Sequence, residues 1–268
     1  MARTGRLCRR RRQYRIGCWT SGNDPIDTRP LAPGQTAARL GIKSIIFMLR
    51  VFYTFLGVHD QVLLARQQAF DPPAYRERID RMKDDGARSR TRAGLWLLKK
   101  LLAAADYADD TLERIGFSAS GQPQIHDAPA FSISHSEQLV ACALCDEASI
   151  GLDVEHRRLR DMARMARLLD PAERAHVERQ PLAFFDYWCA REATVKASGR
   201  VGLKRIRALS LAGDTARLDE RDWHLRALDL DAGYAACLAS DRPIGPVDLR
   251  ELSLPGRENT GPHRSSDQ

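Results

Sequence analysis

Residues Ser149 to His156 read SIGLDVEH. The alternation is that of a strand, with Ile150, Leu152 and Val154 pointing one way and Gly151, Asp153 and Glu155 the other. Asp153 and Glu155 then share a face, with residues two apart separated by about 6.5–7 Å. Like charges at that spacing repel, and more strongly in a low-dielectric cleft. A lone D-x-E is ordinarily a solvated strand face. The chemical alternative is a cation held between the carboxylates.

Two further groups bear on that choice. Glu192 and Lys196 stand at i and i+4 of a helical stretch and share a face one turn apart. Such a pair is ordinarily a surface salt bridge worth a few tenths of a kcal/mol, roughly. Here Trp188 lies one turn before Glu192 and Phe185 precedes it on nearly the same side. A charged pair that continues an aromatic stripe is expected to be partly buried. The third group is SISHS, where alternation puts Ser132, Ser134 and Ser136 on one face and His135 on the other. A lone histidine is more often structural, but one among hydroxyls can bind phosphate. Three carboxylates and a lysine suit Mg²⁺ and a phosphate ester. The hard cation takes carboxylate, water and phosphate oxygens, and the lysine neutralises charge on a leaving phosphate.

The elements that must position these residues can be read coarsely. Arg50 to Val58 is an expected strand. DPPAYRERIDRM opens a helix after Asp71, and RSRTRAGLWLLKKLLAAA is a helix with Leu95, Leu98, Leu101 and Leu102 on its apolar face. ASGQPQI is a turn, and FSISHS, LVACALC and IGLDVE are short strands. DPAERAHVER starts a helix with Asp170 as N-cap, Pro171 at N1 and Glu173 at N3. PLAFFDYWCAREATVKASG is a longer helix that begins near Pro181 and ends at Gly199. The runs IRALSLAG, DWHLRALDL and YAACLAS look like strands. Strands, helices and strands without regular alternation predict an α+β fold rather than a doubly wound sheet. No G-x-G-x-x-G, Walker A, G-x-S-x-G or HExxH motif is present.

Composition bounds the remaining possibilities. The chain has 268 residues, 43% hydrophobic and 29% charged, as in ordinary globular proteins. The longest apolar run, SIIFMLRVFYTFLGV, is short for a membrane span and carries Arg50, so no membrane association is expected. The net charge of +7 is concentrated at one end. Residues 1–47 hold ten Lys/Arg against Asp24 and Asp27, which leaves 32 basic and 33 acidic residues in the rest. A near-neutral body gives no reason to expect a nucleic-acid partner. Residues 1–47 lack periodicity and are expected to form a disordered basic leader, with Met48 as a plausible working start. Cys142 and Cys145 form a C-x-x-C, but no second ligand pair at zinc spacing accompanies it. Three residues apart in a strand, the two thiols point to opposite faces and are expected to be core residues. Nothing suggests an oxidising compartment, so the cytoplasm is the default.

The order GQP, FSISHS, IGLDVE and FFDYWCAREATVKASG resembles the 4′-phosphopantetheinyl transferases, in their long, monomeric class. That class shows G-K-P, F-N-x-S-H, I-G-x-D-x-E and F-x-x-x-W-x-x-K-E-[AS]-x-x-K. Each motif alone is weak; all in order over residues 48 to 240 are specific. The resemblance implies a pseudo-dimer of two similar α+β subdomains, 48–145 and 146–254, with the site between them and a disordered tail over 255–268. It makes Asp153, Glu155 and Glu192 the Mg²⁺ carboxylates, with Glu192 also the base for an incoming serine. Lys196 would contact the phosphate of the leaving nucleotide. Ser134 and His135 would contact phosphates of coenzyme A, with His135 also placed in the catalytic set. Arg90 and Thr91 in RTRAG would bind its 3′-phosphate, with Arg78 in the preceding helix a further candidate. The implied partners are coenzyme A and an apo acyl or peptidyl carrier protein. Ser132 stands where the family often has Asn, Arg191 replaces a Lys, and Gln122 replaces the Lys of G-K-P, which puts one coenzyme contact in question.

Two other readings can be separated from this one. A metal-dependent nuclease also uses paired acids and a lysine, but as E-x-K on a strand rather than E-x-x-x-K on a helix, and it would cleave DNA with Mg²⁺. A non-catalytic coenzyme A-binding protein would bind without turnover.

Overall fold

Apolar alternation from Leu49 forms β1 (Leu49–Phe55), which runs through the first of two main sheets. The computed structural model describes residues 48–66, 71–159, 163–200 and 202–254. All of these lie in one unit, Ile42–Gln268. The expected leader (1–47) and tail (255–268) fall outside the described residues. After β1 come helices α1 (Val58–Arg66), α2 (Pro73–Asp80) and α3 (Asp85–Ala104), then a 3₁₀ turn at Thr111–Arg114. Next are β2 (Ile115–Phe117), β3 (Pro123–Ile125), β4 (Ala130–Ser136), β5 (Leu139–Cys145) and β6 (Ile150–His156). Helices α4 (Ala163–Ala166), α5 (Pro171–Arg179), α6 (Ala183–Ala197) and α7 (Leu203–Ala208) follow. The described chain closes with β7 (Ser210–Ala212), β8 (Thr215–Leu218), β9 (Arg221–Ala227), β10 (Tyr234–Ser240) and β11 (Val247–Glu251). The fold is α+β.

One sheet has the order β11-β1-β5-β4, the other β6-β10-β9-β8-β7, and β2 and β3 form a separate hairpin. β11 returns to pair in parallel with β1, so residues late in the chain complete the first sheet. Strand β5 is buried along its whole length because both faces are covered. Val140, Cys142 and Leu144 face the leucines of α3, while Leu139, Ala141, Ala143 and Cys145 meet Ile150, Leu152 and Val154 of β6. On the far side of β6 and β10, Ala235, Cys237 and Ala239 pack with the aromatic residues of α6. The layers therefore run α3, first sheet, second sheet, α6. Cys142 and Cys145 are free, buried and on opposite faces, as expected of core residues.

Several local expectations change. The first strand stops at Phe55, because the Asp60 carboxylate accepts the Gly57 N–H at 2.7 Å and starts α1. Asp71 does not cap α2, whose N-terminal flanking residue is Pro72. It instead forms a buried ion pair with Arg92, with Nη2 2.6 Å from Oδ2. The IRALSLAG run begins inside the helix Leu203–Ala208 and becomes strand only at Ser210. The Arg191 guanidinium explains this turn: it donates to the carbonyls of Ile206 and Leu209, both at 2.7 Å, which the end of a short helix leaves open. Among the described residues, no helix is long and apolar enough to cross a membrane.

Candidate active site at the seam between the sheets

The site is built where β4, the edge of the first sheet, meets β6, the edge of the second. Edge strands carry unpaired backbone groups that need partners when buried. Here the alternating serines of β4 supply them. The Leu152, Val154 and His156 N–H groups donate to the hydroxyls of Ser132, Ser134 and Ser136 at 2.9, 3.2 and 3.0 Å. Two of those hydroxyls in turn hold the acidic face of β6. Ser134 donates to Asp153 Oδ1 at 2.9 Å and Ser136 to Glu155 Oε2 at 3.0 Å.

Helix α6 lies directly over that face, and Gly151 permits it. A Cβ on Gly151 would stand 2.0 Å from the Ala193 carbonyl oxygen and 2.5 Å from the Ala197 nitrogen. The close approach brings Lys196 onto the strand. Its Nζ donates to Asp153 Oδ1 at 2.7 Å, to Ser134 Oγ at 3.1 Å and to the Leu152 carbonyl at 3.1 Å. Burial works against the lysine's charge, but Asp153 and Glu192 outweigh it and raise its pKa. Glu192, half-buried on the same helix, is shifted upward too, which for a carboxyl favours the neutral form. Desolvation, then the charges of Asp153 and Glu155, raise its carboxyl above the ordinary range, with Lys196 opposing. Glu192 thus senses both carboxylates of β6. Among the described residues, no group of three His, Cys, Asp or Glu side chains is gathered tightly enough to hold a metal as it stands. Asp153 Oδ2 is nevertheless buried without a hydrogen-bond partner, and the donors on offer are carboxylate oxygens, the chemistry a hard cation takes.

The remaining predicted residues divide into two groups. Gly94 of α3 packs on Ile133, where a Cβ would meet Cγ2 at 2.7 Å. Arg90, one turn earlier, therefore stands near His135, two residues on from Ile133. His135 is exposed, yet desolvation of its ring and the charges of Arg90 and Lys196 lower its pKa. The positive charges of Arg90 and Lys196 both bear on His135 and disfavour a proton on its ring. Arg90 also reaches Asp84 at 3.3 Å, and Thr91 donates back to the Ala87 carbonyl at 2.9 Å. Arg78 is not gathered with them by any contact described; its guanidinium lies over the Phe117 ring, 4.8 Å from the centroid. Ser134 is buried, with its hydroxyl committed to the seam rather than turned outward.

Three contacts escaped the sequence reading. Arg191, fully buried, grips Glu173 through both carboxylate oxygens at 2.8 Å, so it anchors α6 to α5. The capping pattern at Asp170 pointed to Glu173 as a helix-start residue, and Glu173 Oε2 does accept the Asp170 N–H at 3.0 Å. Its second role had no sequence signal. Gln122 donates its amide to the Lys196 carbonyl at 2.9 Å, and Ser120 donates to the Gly199 carbonyl at 2.9 Å. The serine seam, by contrast, had a signal, since a hydroxyl at every second position of an edge strand can serve a neighbouring backbone.

The family model described as "ACPS: 4′-phosphopantetheinyl transferase superfamily" matches residues 149–240, which span β6, α6 and β10. The 4′-phosphopantetheinyl transferase psf-1 of Bacillus pumilus is 32% identical over 158 residues, covering 53% of this chain and 67% of that protein. The 4′-phosphopantetheinyl transferase HetI of Nostoc sp. is 28% identical over 168 residues, covering 57% of this chain and 70% of that protein. A Haemophilus influenzae protein provisionally named for the same activity is 32% identical over 112 residues. That match covers 38% of this chain and spans about half, 48%, of the relative's length. The fold, the acidic strand under a glycine-seated helix and these matches agree: the chain belongs to the 4′-phosphopantetheinyl transferase superfamily.

Proposed function

We propose that this chain transfers the 4′-phosphopantetheine group from coenzyme A to a serine hydroxyl of an apo acyl or peptidyl carrier protein, releasing adenosine 3′,5′-bisphosphate. One observation carries the reading: β6 and α6 bring Asp153, Glu155, Glu192 and Lys196 to one face beside the Arg90–His135 region. Asp153, Glu155 and Glu192 would hold Mg²⁺, and the unpartnered Asp153 Oδ2 fits that role. When bound, the ion supplies Lewis-acid neutralisation of the pyrophosphate.

The chain's own residues divide the remaining work. Glu192, on the face it shares with Asp153 and Lys196, would take the serine proton. Lys196, kept cationic by Asp153, faces the charge that develops on the departing phosphate. Arg90 offers a planar fork for a phosphate monoester, with His135 beside it. The serine of the carrier attacks the phosphorus next to pantetheine; its proton goes to Glu192, and the phosphoanhydride bond breaks toward the adenosine bisphosphate.

The test is intact-mass measurement of a panel of apo carrier proteins incubated with the chain, coenzyme A and Mg²⁺. The reading expects one phosphopantetheine added to at least one carrier, and none after Ser→Ala replacement of the carrier's acceptor serine. Unchanged mass across the panel would count against it.

A further inference from the structure

We propose that Gln122 is a positioning residue that fixes the last turn of α6, and through it Lys196. The proposal rests on the transfer reading above, because Lys196 is the cation that reading assigns to the leaving phosphate. Gln122 sits at the tip of the β2–β3 hairpin, far along the chain from α6. Its Nε2 donates to the Lys196 carbonyl at 2.9 Å, the backbone of the residue whose ammonium reaches Asp153.

The end of α6 needs such a partner. The last carbonyls of a helix have no N–H within the helix to accept from. The chain leaves α6 through Gly199 at φ +73, and the Gly199 N–H donates to the Lys196 carbonyl at 3.1 Å. That bond uses one of the two lone pairs of the carbonyl oxygen. Gln122 takes the second, while Ser120 donates to the Gly199 carbonyl at 2.9 Å. The hairpin tip thus holds both sides of the turn that ends the helix.

The tip is itself stiff. Gly121, at φ +80, donates to the Ser118 carbonyl at 2.8 Å, and the Ser118 N–H donates to the Gln122 carbonyl at 2.8 Å. The Gln122 N–H donates to Ser118 Oγ at 3.1 Å. The Gln122 side chain is therefore presented from a closed loop rather than a free strand end, and little ordering is lost in holding the Lys196 carbonyl. One of the two amide hydrogens of Gln122 is engaged there, in service of the helix. A misplacement of the lysine by a fraction of an ångström would reach the chemistry through the Asp153 pair.

The experiment compares wild type with Gln122→Glu and Gln122→Ala in the full chain. Glutamate keeps the size but offers an acceptor to an acceptor; alanine removes the contact. Hydrogen exchange is followed in peptides covering residues 190–200, alongside steady-state kinetics with varied coenzyme A. The expected result is faster exchange at the end of α6 in both variants. With it, kcat falls about tenfold and KM for coenzyme A stays within about twofold, the mark of lost alignment rather than lost binding. A raised KM with retained kcat would make Gln122 a coenzyme contact and overturn the proposal. Unchanged exchange, or faster exchange with unchanged kcat, would overturn it as well. A wild-type chain that modifies no carrier overturns the transfer reading alone: an exchange difference that persists then still shows that Gln122 fixes the end of α6, and an unchanged exchange overturns that role as well.

Discussion

At the scale of single residues, the site turns on how Asp153 is neutralised. Strand spacing alone places two carboxylates on one face and implies that they repel. It also implies that deleting Asp153 would relieve strain in the metal-free protein. The structure reverses that implication, because Lys196 already sits on Asp153 Oδ1. Removing the carboxylate leaves a largely enclosed ammonium without its anion. Asp153→Ala is therefore expected to lose about 1–3 kcal/mol of stability in EDTA, with Lys196→Met on the same background recovering part of it. Urea titrations of the two variants check this; unchanged or increased stability of the single variant would contradict the pairing. The sequence shows which residues share a face, but not which rotamer a lysine chooses, and so Ser134 was expected as a coenzyme contact and not as a buried link of the seam. Under the proposed function, Arg90 is assigned a different task, holding the 3′-phosphate of coenzyme A. Arg90→Ala is expected to raise KM for coenzyme A about tenfold or more while changing kcat little, and to cost less with dephospho-coenzyme A, which lacks the 3′-phosphate. Equal penalties with the two substrates would remove Arg90 from that role.

At the scale of elements, α6 and β6 make the site by lying unusually close. Gly151→Ala places a methyl 2.0 Å from the Ala193 carbonyl oxygen, a backbone atom that cannot turn aside. The helix must move, carrying Glu192 and Lys196 away from Asp153. The variant is expected to lose about 2–4 kcal/mol of stability and most of its activity. Thermal melts and carrier modification measure both, and a variant with wild-type values would show that α6 is not seated as described. Much of this element was legible. Pro181 and Gly199 bracket the helix, and the aromatic stripe of Phe185 and Trp188 is buried as the periodicity implied. The buried grip of Arg191 on Glu173 was not legible, since an arginine beside a glutamate in the sequence reads as surface charge. Only packing shows that its fork closes the base of α6. The α7 segment was misread for the same reason: its short alternation fits a strand until the carbonyls of Ile206 and Leu209 are seen to be held by that arginine.

At the scale of the molecule, the order of strands and helices was enough to give the α+β class, because local periodicity survives in the fold. The return of β11 to β1 was not, since pairing between distant segments leaves no local trace. The seam lies between these extremes. Its hydroxyls recur at every second residue of β4, and each serves one backbone N–H of β6. Ser132 makes no described contact with the carboxylates, so it isolates the joining role. Ser132→Ala leaves the Leu152 N–H buried without an acceptor and is expected to cost about 1–3 kcal/mol, with binding of coenzyme A retained. Ser132→Asn, which offers an amide oxygen, should recover part of that loss; chemical unfolding of both variants decides it. The central claim, that the β6–α6 face performs phosphopantetheine transfer, is tested most directly by intact-mass kinetics of holo-carrier formation for wild type and Glu192→Gln under the same coenzyme A and Mg²⁺. The account predicts one phosphopantetheine added per carrier by wild type and a rate lower by about 10²-fold or more for the variant, with its fold intact by circular dichroism. A Glu192→Gln chain that modifies the carrier at the wild-type rate would contradict it.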